Sequence, residues 1–154
     1  KHVKPHGALY NMAAVNYELA KAIAEAVKKT VPDAILLALA NSEMVKAAND
    51  VGIKVAQEVF ADRAYNEDGT LVSRSMPGAV IDDPLQATER ALRMVLEGKV
   101  TAINGKEIPI VAHSICVHGD NPKAVELASS IRKQLEKAHV EVVELTYVLK
   151  AAYS

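Results

Sequence analysis

Asp62, Arg63, Tyr65, Glu67, Asp68 and Arg74 lie in the segment Glu58 to Arg74, EVFADRAYNEDGTLVSR, where a short apolar run breaks into a loop crowded with ionisable groups. These residue types supply acceptors, a fixed guanidinium fork and a phenol, the polar tools of a small-molecule site on a strand-end loop. Two further positions carry histidine followed by glycine: His6-Gly7, preceded by Lys4-Pro5, and His118-Gly119, followed by Asp120-Asn121. Histidine titrates near neutrality and moves protons, and a glycine beside it allows a ligand close approach. His118 and Asp120 read as an acid/base pair, with His6 as a further histidine of the same kind. Lys4, Arg63 and Arg74 offer cations for a carboxylate or phosphoryl group, Asp62 orients one of them, and Tyr65 adds a substrate contact. The competing account of the charged loop is a solvated turn with surface ion pairs, which contribute little energy.

Elements able to bring such residues together alternate along the chain. Short strand-like runs, the end of one at His2 to Pro5 and others at Ile35 to Leu39, Lys54 to Phe60 and Ser114 to Val117, alternate with segments of helical periodicity, the pattern of an α/β protein with parallel strands. A helix is predicted from about Ala8 to Thr30, with Leu9, Met12, Ala13, Leu19, Ile23 and Val27 on one face. Others follow Asn41-Ser42, Asp83-Pro84 and Asn121-Pro122, each pair offering a cap. The helix after Asp83-Pro84 is expected to turn Leu85, Thr88, Leu92, Val95 and Leu96 inward. Asn104-Gly105 signals a hairpin outside the core sheet, and Val140 to Leu145 reads as a last strand. In this class, sites form beyond the carboxyl ends of strands. Those ends are polar in every case: Lys4 to Gly7, Asn41 and Ser42, Asp62 and Arg63, and His118 to Asn121. Asn41, Ser42 and Asn121 are explained by capping, and His113 and His139 by structural or solvent-facing roles.

Composition narrows the function further. With 154 residues, half of them hydrophobic, the chain is long enough for one core and is expected to form a single domain over 1–154. A net charge of −1 with intermixed signs gives no electrostatic reason to bind nucleic acid or an anionic membrane, and the absence of Trp argues against stacking on single strands. The apolar run Ala34 to Ala40 is too short to span a bilayer, and the lone Cys116 suits a reducing compartment. A cytoplasmic location is therefore expected. No metal-ligand spacing and no phosphate-binding glycine fingerprint occurs. His6, Asp62, His118 and Asp120 could converge only in space, so metal content stays open, as does a homo-oligomer. Any ATP must be held otherwise than in a P-loop.

Three blocks, KPHGALYN at Lys4 to Asn11, EVFADRAYNEDGTLVSR at Glu58 to Arg74 and SICVHGDNPKAV at Ser114 to Val125, resemble the LamB/YcsF family, and the resemblance runs along nearly the whole chain. It implies a partial or distorted (β/α) barrel similar to the glycoside hydrolase/deacetylase barrels. It also implies a component of an ATP-dependent 5-oxoprolinase, which cleaves the cyclic amide of 5-oxo-L-proline to L-glutamate with subunits B and C as partners. The family blocks DLNCDLGE and CGFHAGD are absent, so the chain reads as the C-terminal part of a longer barrel. Two other readings are carried with it: a metal-dependent deacetylase-like hydrolase, and a non-catalytic subunit that only binds substrate.

Overall fold

A computed structural model describes residues 1–154, which divide into two compact units, Lys1–Glu58 and Val59–Ser154. In the first, strand β2 (Ile35–Leu39, ILLAL) is buried at every position, as expected of a strand covered on both faces. It pairs in parallel with β1 (His2–Val3) on one side and β3 (Val55–Phe60) on the other. Helices α1 (Ala8–Val15), α2 (Tyr17–Thr30) and α3 (Glu43–Val51) connect them. Their core stripe is rich in small residues: Ala20, Ala24, Ala47 and Ala48 pack with Leu36, Ala38, Met44 and Val55. Gly52, at φ 78°, ends α3, donating its N–H to the Ala48 carbonyl at 2.9 Å.

The single helix expected over 8–30 is two. Asn16 takes extended dihedrals and its Oδ1 accepts the Leu19 N–H at 3.0 Å, so a residue expected in a helix interior is the cap of a new helix. Before the break, Ala13 keeps its expected buried position at 0% exposed. Leu9 and Met12, expected on the buried face, are 42% and 57% exposed.

The second unit opens on Val59 and Phe60, the end of β3, and continues through a loop to helix α4 (Pro84–Leu96). The hairpin β4 (Lys99–Thr101) and β5 (Glu107–Pro109) turns through Asn104-Gly105, with Gly105 at φ 87°, as its sequence predicts. Strand β6 (Ser114–Cys116) lies next to β3, the Cys116 carbonyl accepting the Ala61 N–H at 3.4 Å. Helix α5 (Ala124–Lys137) buries Leu127, Ile131 and Leu135 against Ala61, Ala87 and Ala91. On α4 the inward face is Ala87, Thr88, Ala91 and Met94, whereas Leu85 and Leu96, near its two ends, are 65% and 55% exposed, contrary to the periodicity reading.

Val140 to Leu145 is not a strand. The chain there is irregular, and helix α6 (Leu145–Ala152) follows. A β-branched run becomes a strand only beside a partner, and Val142 and Val143 remain 45% exposed without one. No helix of the molecule is long and apolar enough to cross a membrane.

Asp83 caps α4, its Oδ1 accepting the Leu85 N–H at 3.1 Å with Pro84 in the first turn. Asp83→Ala should lower stability by about 1 kcal/mol. Urea unfolding is expected to show an earlier midpoint at unchanged slope.

Candidate functional site

Strand β3 ends at Phe60 and β6 at Cys116, and two residues beyond each end lie Asp62 and His118. Asp62 is 1% exposed and turns both oxygens to His118: Oδ1 lies 3.0 Å from Nδ1, and Oδ2 accepts the backbone N–H at 3.3 Å. Phe60 stacks on the imidazole with ring centroids 5.4 Å apart. An ionised carboxylate only accepts, so the proton of neutral His118 sits on Nδ1 and Nε2 carries the lone pair. About a quarter of the His118 side chain is exposed. The arrangement is that of a general base whose orientation and imidazolium are both supported by a buried carboxylate.

The carboxylate beside His118 is therefore Asp62, where sequence reasoning places Asp120. Asp120 sits in the turn after β6, is mostly exposed, and meets Arg74 at 3.3 Å. Neighbours along the chain diverge at a turn, whereas residues at the ends of adjacent strands converge. Arg63 is buried, with Nη2 donating to the Val72 carbonyl at 2.8 Å and Nε enclosed without an acceptor. Its pKa is held below the ordinary arginine value by burial first and then by the nearby charge of Arg74.

Tyr65, expected to touch substrate, is wholly buried, and its hydroxyl accepts the Phe60 N–H at 2.9 Å. It braces the loop from beneath. At the loop tip the ion-pair account holds: Glu67 pairs with Lys106 and accepts from Asn104, and Asp68 accepts from the backbone and hydroxyl of Thr70. Those two bonds hold the Asp68 carboxyl below the usual range. Thus one charged segment divides into a buried base at Asp62 and Arg63 and a solvated tip.

In the first unit, Lys4 Nζ lies 2.9 Å from Glu58 Oε1, and the Tyr10 hydroxyl donates to Glu58 Oε2 at 2.7 Å. Lys4 Nζ is also 5.1 Å from the Tyr10 ring centroid. Glu58 is 4% exposed, so this cation already faces an opposite charge. His6 is exposed, just before Gly7 at φ 60°. Sequence reasoning singles out neither Glu58 nor Tyr10 as a site residue. The available signal is a carboxylate inside the otherwise buried strand VAQEVF, a placement that demands a partner. Lys4→Met should destabilise the protein by about 2 kcal/mol, the penalty of a buried charge left unpaired, reduced because a third of Lys4 is exposed. A double-mutant cycle with Glu58→Gln, read by urea unfolding, is expected to recover most of that loss.

Arg90, on α4, also escapes the sequence reading. Its guanidinium donates to the carbonyls of Ala61 and Arg63. No group of three or more His, Cys, Asp or Glu side chains is arranged to hold a metal ion.

Residues 1–150 match the model of the LamB/YcsF family, a span that includes all three blocks quoted above. The chain belongs to the LamB/YcsF family. Curated LamB/YcsF relatives include the 5-oxoprolinase A subunit of Coprothermobacter proteolyticus, 97% identical over 154 residues, which are 100% of this chain and 59% of that protein. The 5-oxoprolinase A subunit of Alkaliphilus metalliredigens is 57% identical over 150 residues, 97% of this chain and 59% of that one. Among solved structures, the lactam utilization protein from Thermus thermophilus superposes with a TM-score of 0.82 at 48% identity, covering 92% of this chain and 56% of that one. The chain thus spans about three-fifths of the length of the curated LamB/YcsF proteins it matches. The α/β class with parallel strands, expected from the alternation, is the fold found.

Proposed function

We propose that this chain is the lactam-handling part of a cytoplasmic, ATP-dependent 5-oxoprolinase that opens the cyclic amide of 5-oxo-L-proline to L-glutamate with partner subunits B and C. What carries the reading is the Asp62–His118 pair at two adjacent strand ends, in a chain whose relatives bear the name of the 5-oxoprolinase A subunit. Amide resonance makes a lactam carbon a poor electrophile. A phosphoryl group transferred from ATP, bound by the assembled complex, to the lactam oxygen removes that protection. His118 Nε2 then takes a proton from water as the water oxygen bonds to the ring carbon, and Asp62 stabilises the imidazolium. On collapse the ring C–N bond breaks, the nitrogen takes the proton from His118, and a second water releases phosphate from the acyl phosphate.

Charge accounting orders the cations offered to the substrate's carboxylate and phosphoryl groups. Lys4 is matched by Glu58, while the Arg63 guanidinium faces no carboxylate at ion-pair distance. Arg63 is the first choice, and Arg74, which meets Asp120, follows. The direct test follows glutamate release from 5-oxoproline and ATP by the full-length protein with its partner subunits. Absence of ATP-dependent glutamate from that assembly removes the reading.

A further inference from the structure

We propose that Arg90 is a positioning residue for the Asp62–His118 pair, acting by gripping the backbone on both sides of Asp62. Its Nη1 donates to the Ala61 carbonyl at 2.6 Å and its Nη2 to the Arg63 carbonyl at 2.9 Å. The intervening Asp62 carbonyl accepts the Ile81 N–H at 2.9 Å. Three successive carbonyls are thereby tied. One planar fork takes the first and third of these carbonyls, in the turn that follows β3, while a backbone N–H takes the second. Rotation of either peptide flanking Asp62 breaks at least one of these bonds. The Asp62 carboxylate, which must present one oxygen to the His118 ring and the other to its backbone N–H, is held by this clamp.

Two further observations favour a specific role over filler. The Arg90 guanidinium is largely removed from water, and burial is the main influence lowering its pKa, opposed by the nearby charge of Asp62. An apolar side chain between α4 and the strand ends would avoid that desolvation. Lysine would keep the charge but offers a compact ammonium in place of two diverging N–H donors at fixed spacing. The feature that needs arginine at this position is the paired grip on the Ala61 and Arg63 carbonyls.

The inference rests on reading Asp62 and His118 as the working pair, and the two can fail separately. In full-length protein labelled with ¹⁵N-histidine, His118 is expected to show the Nδ1–H tautomer. In Arg90→Gln that signal should shift toward a mixture of tautomers. In the assembly with partner subunits, kcat should fall about 10- to 100-fold, the loss expected from a sub-ångström to ångström misplacement, with KM for 5-oxoproline within about twofold of the parent. Arg90→Lys, which keeps the charge and the stem, should behave like Arg90→Gln, and it replaces that variant if the glutamine form does not fold. An unmoved His118 tautomer in a folded variant overturns the proposal whatever the turnover. A moved tautomer in a protein without 5-oxoprolinase activity keeps the clamp and removes the functional reading instead.

Discussion

Replacing His118 with alanine is expected to cut ATP-dependent glutamate release by about 10²- to 10⁴-fold, the range contributed by one positioned acid/base group. Its ring lies between the Asp62 carboxylate and the face of Phe60, at the margin of the core and partly open to solvent, so folding should survive the change. Losing the imidazole does, however, leave the Asp62 carboxylate, its side chain 2% exposed, with the backbone N–H of residue 118 as its remaining contact there. His118→Gln, able to donate an amide N–H to Asp62 but unable to accept and return a proton, separates the two effects. It should retain the unfolding midpoint of the parent while losing activity as fully as His118→Ala. Turnover by His118→Gln close to the parent would sink the acid/base assignment.

Asp62→Asn should cost up to about 10⁴-fold in kcat, the loss hydrolytic triads show when the buried carboxylate behind the histidine becomes an amide. The reason is tautomeric. An amide can turn its NH₂ toward Nδ1, and the ring proton then moves to Nε2, the atom that must carry a lone pair to accept a proton from water. Burial makes the effect severe, since a side chain 2% exposed has no water with which to compensate. Asp120→Asn is the internal control, because that carboxylate is mostly exposed and meets Arg74 instead of His118. A loss below about tenfold is expected there, as for a surface ion pair. Equal losses in the two asparagine variants would mean that proximity in the chain, and not the strand-end pairing, selects the partner of His118.

These two variants mark the boundary between what residue order reveals and what it does not. The alternation of apolar runs and helical periods identifies β2, β3 and the α4 and α5 helices, because periodicity and capping act within a few residues. Asn104-Gly105 predicts its hairpin for the same local reason. His118, Asp62 and Arg63 are legible as polar residues at strand ends, and the quoted blocks point to the family.

Where sequence and structure differ, the origin is local at Asn16 and lies with distant partners elsewhere. Asn16 has neighbours that favour helix, yet its side chain caps a new one. Val140 to Leu145 has strand composition and no strand beside it. Tyr65 has the chemistry of a substrate contact, but its hydroxyl belongs to the Phe60 amide. Arg90 is silent in the sequence because nothing in its own helix announces that Ala61 and Arg63, nearly thirty positions earlier, present carbonyls to it. The order of residues set which groups are available and at which strand ends they emerge, since apolar period, caps and turns are short-range effects. Only the tertiary arrangement chose Asp62 over Asp120 for His118, because the pairing depends on which strands lie side by side, a long-range outcome of packing the helices over the sheet.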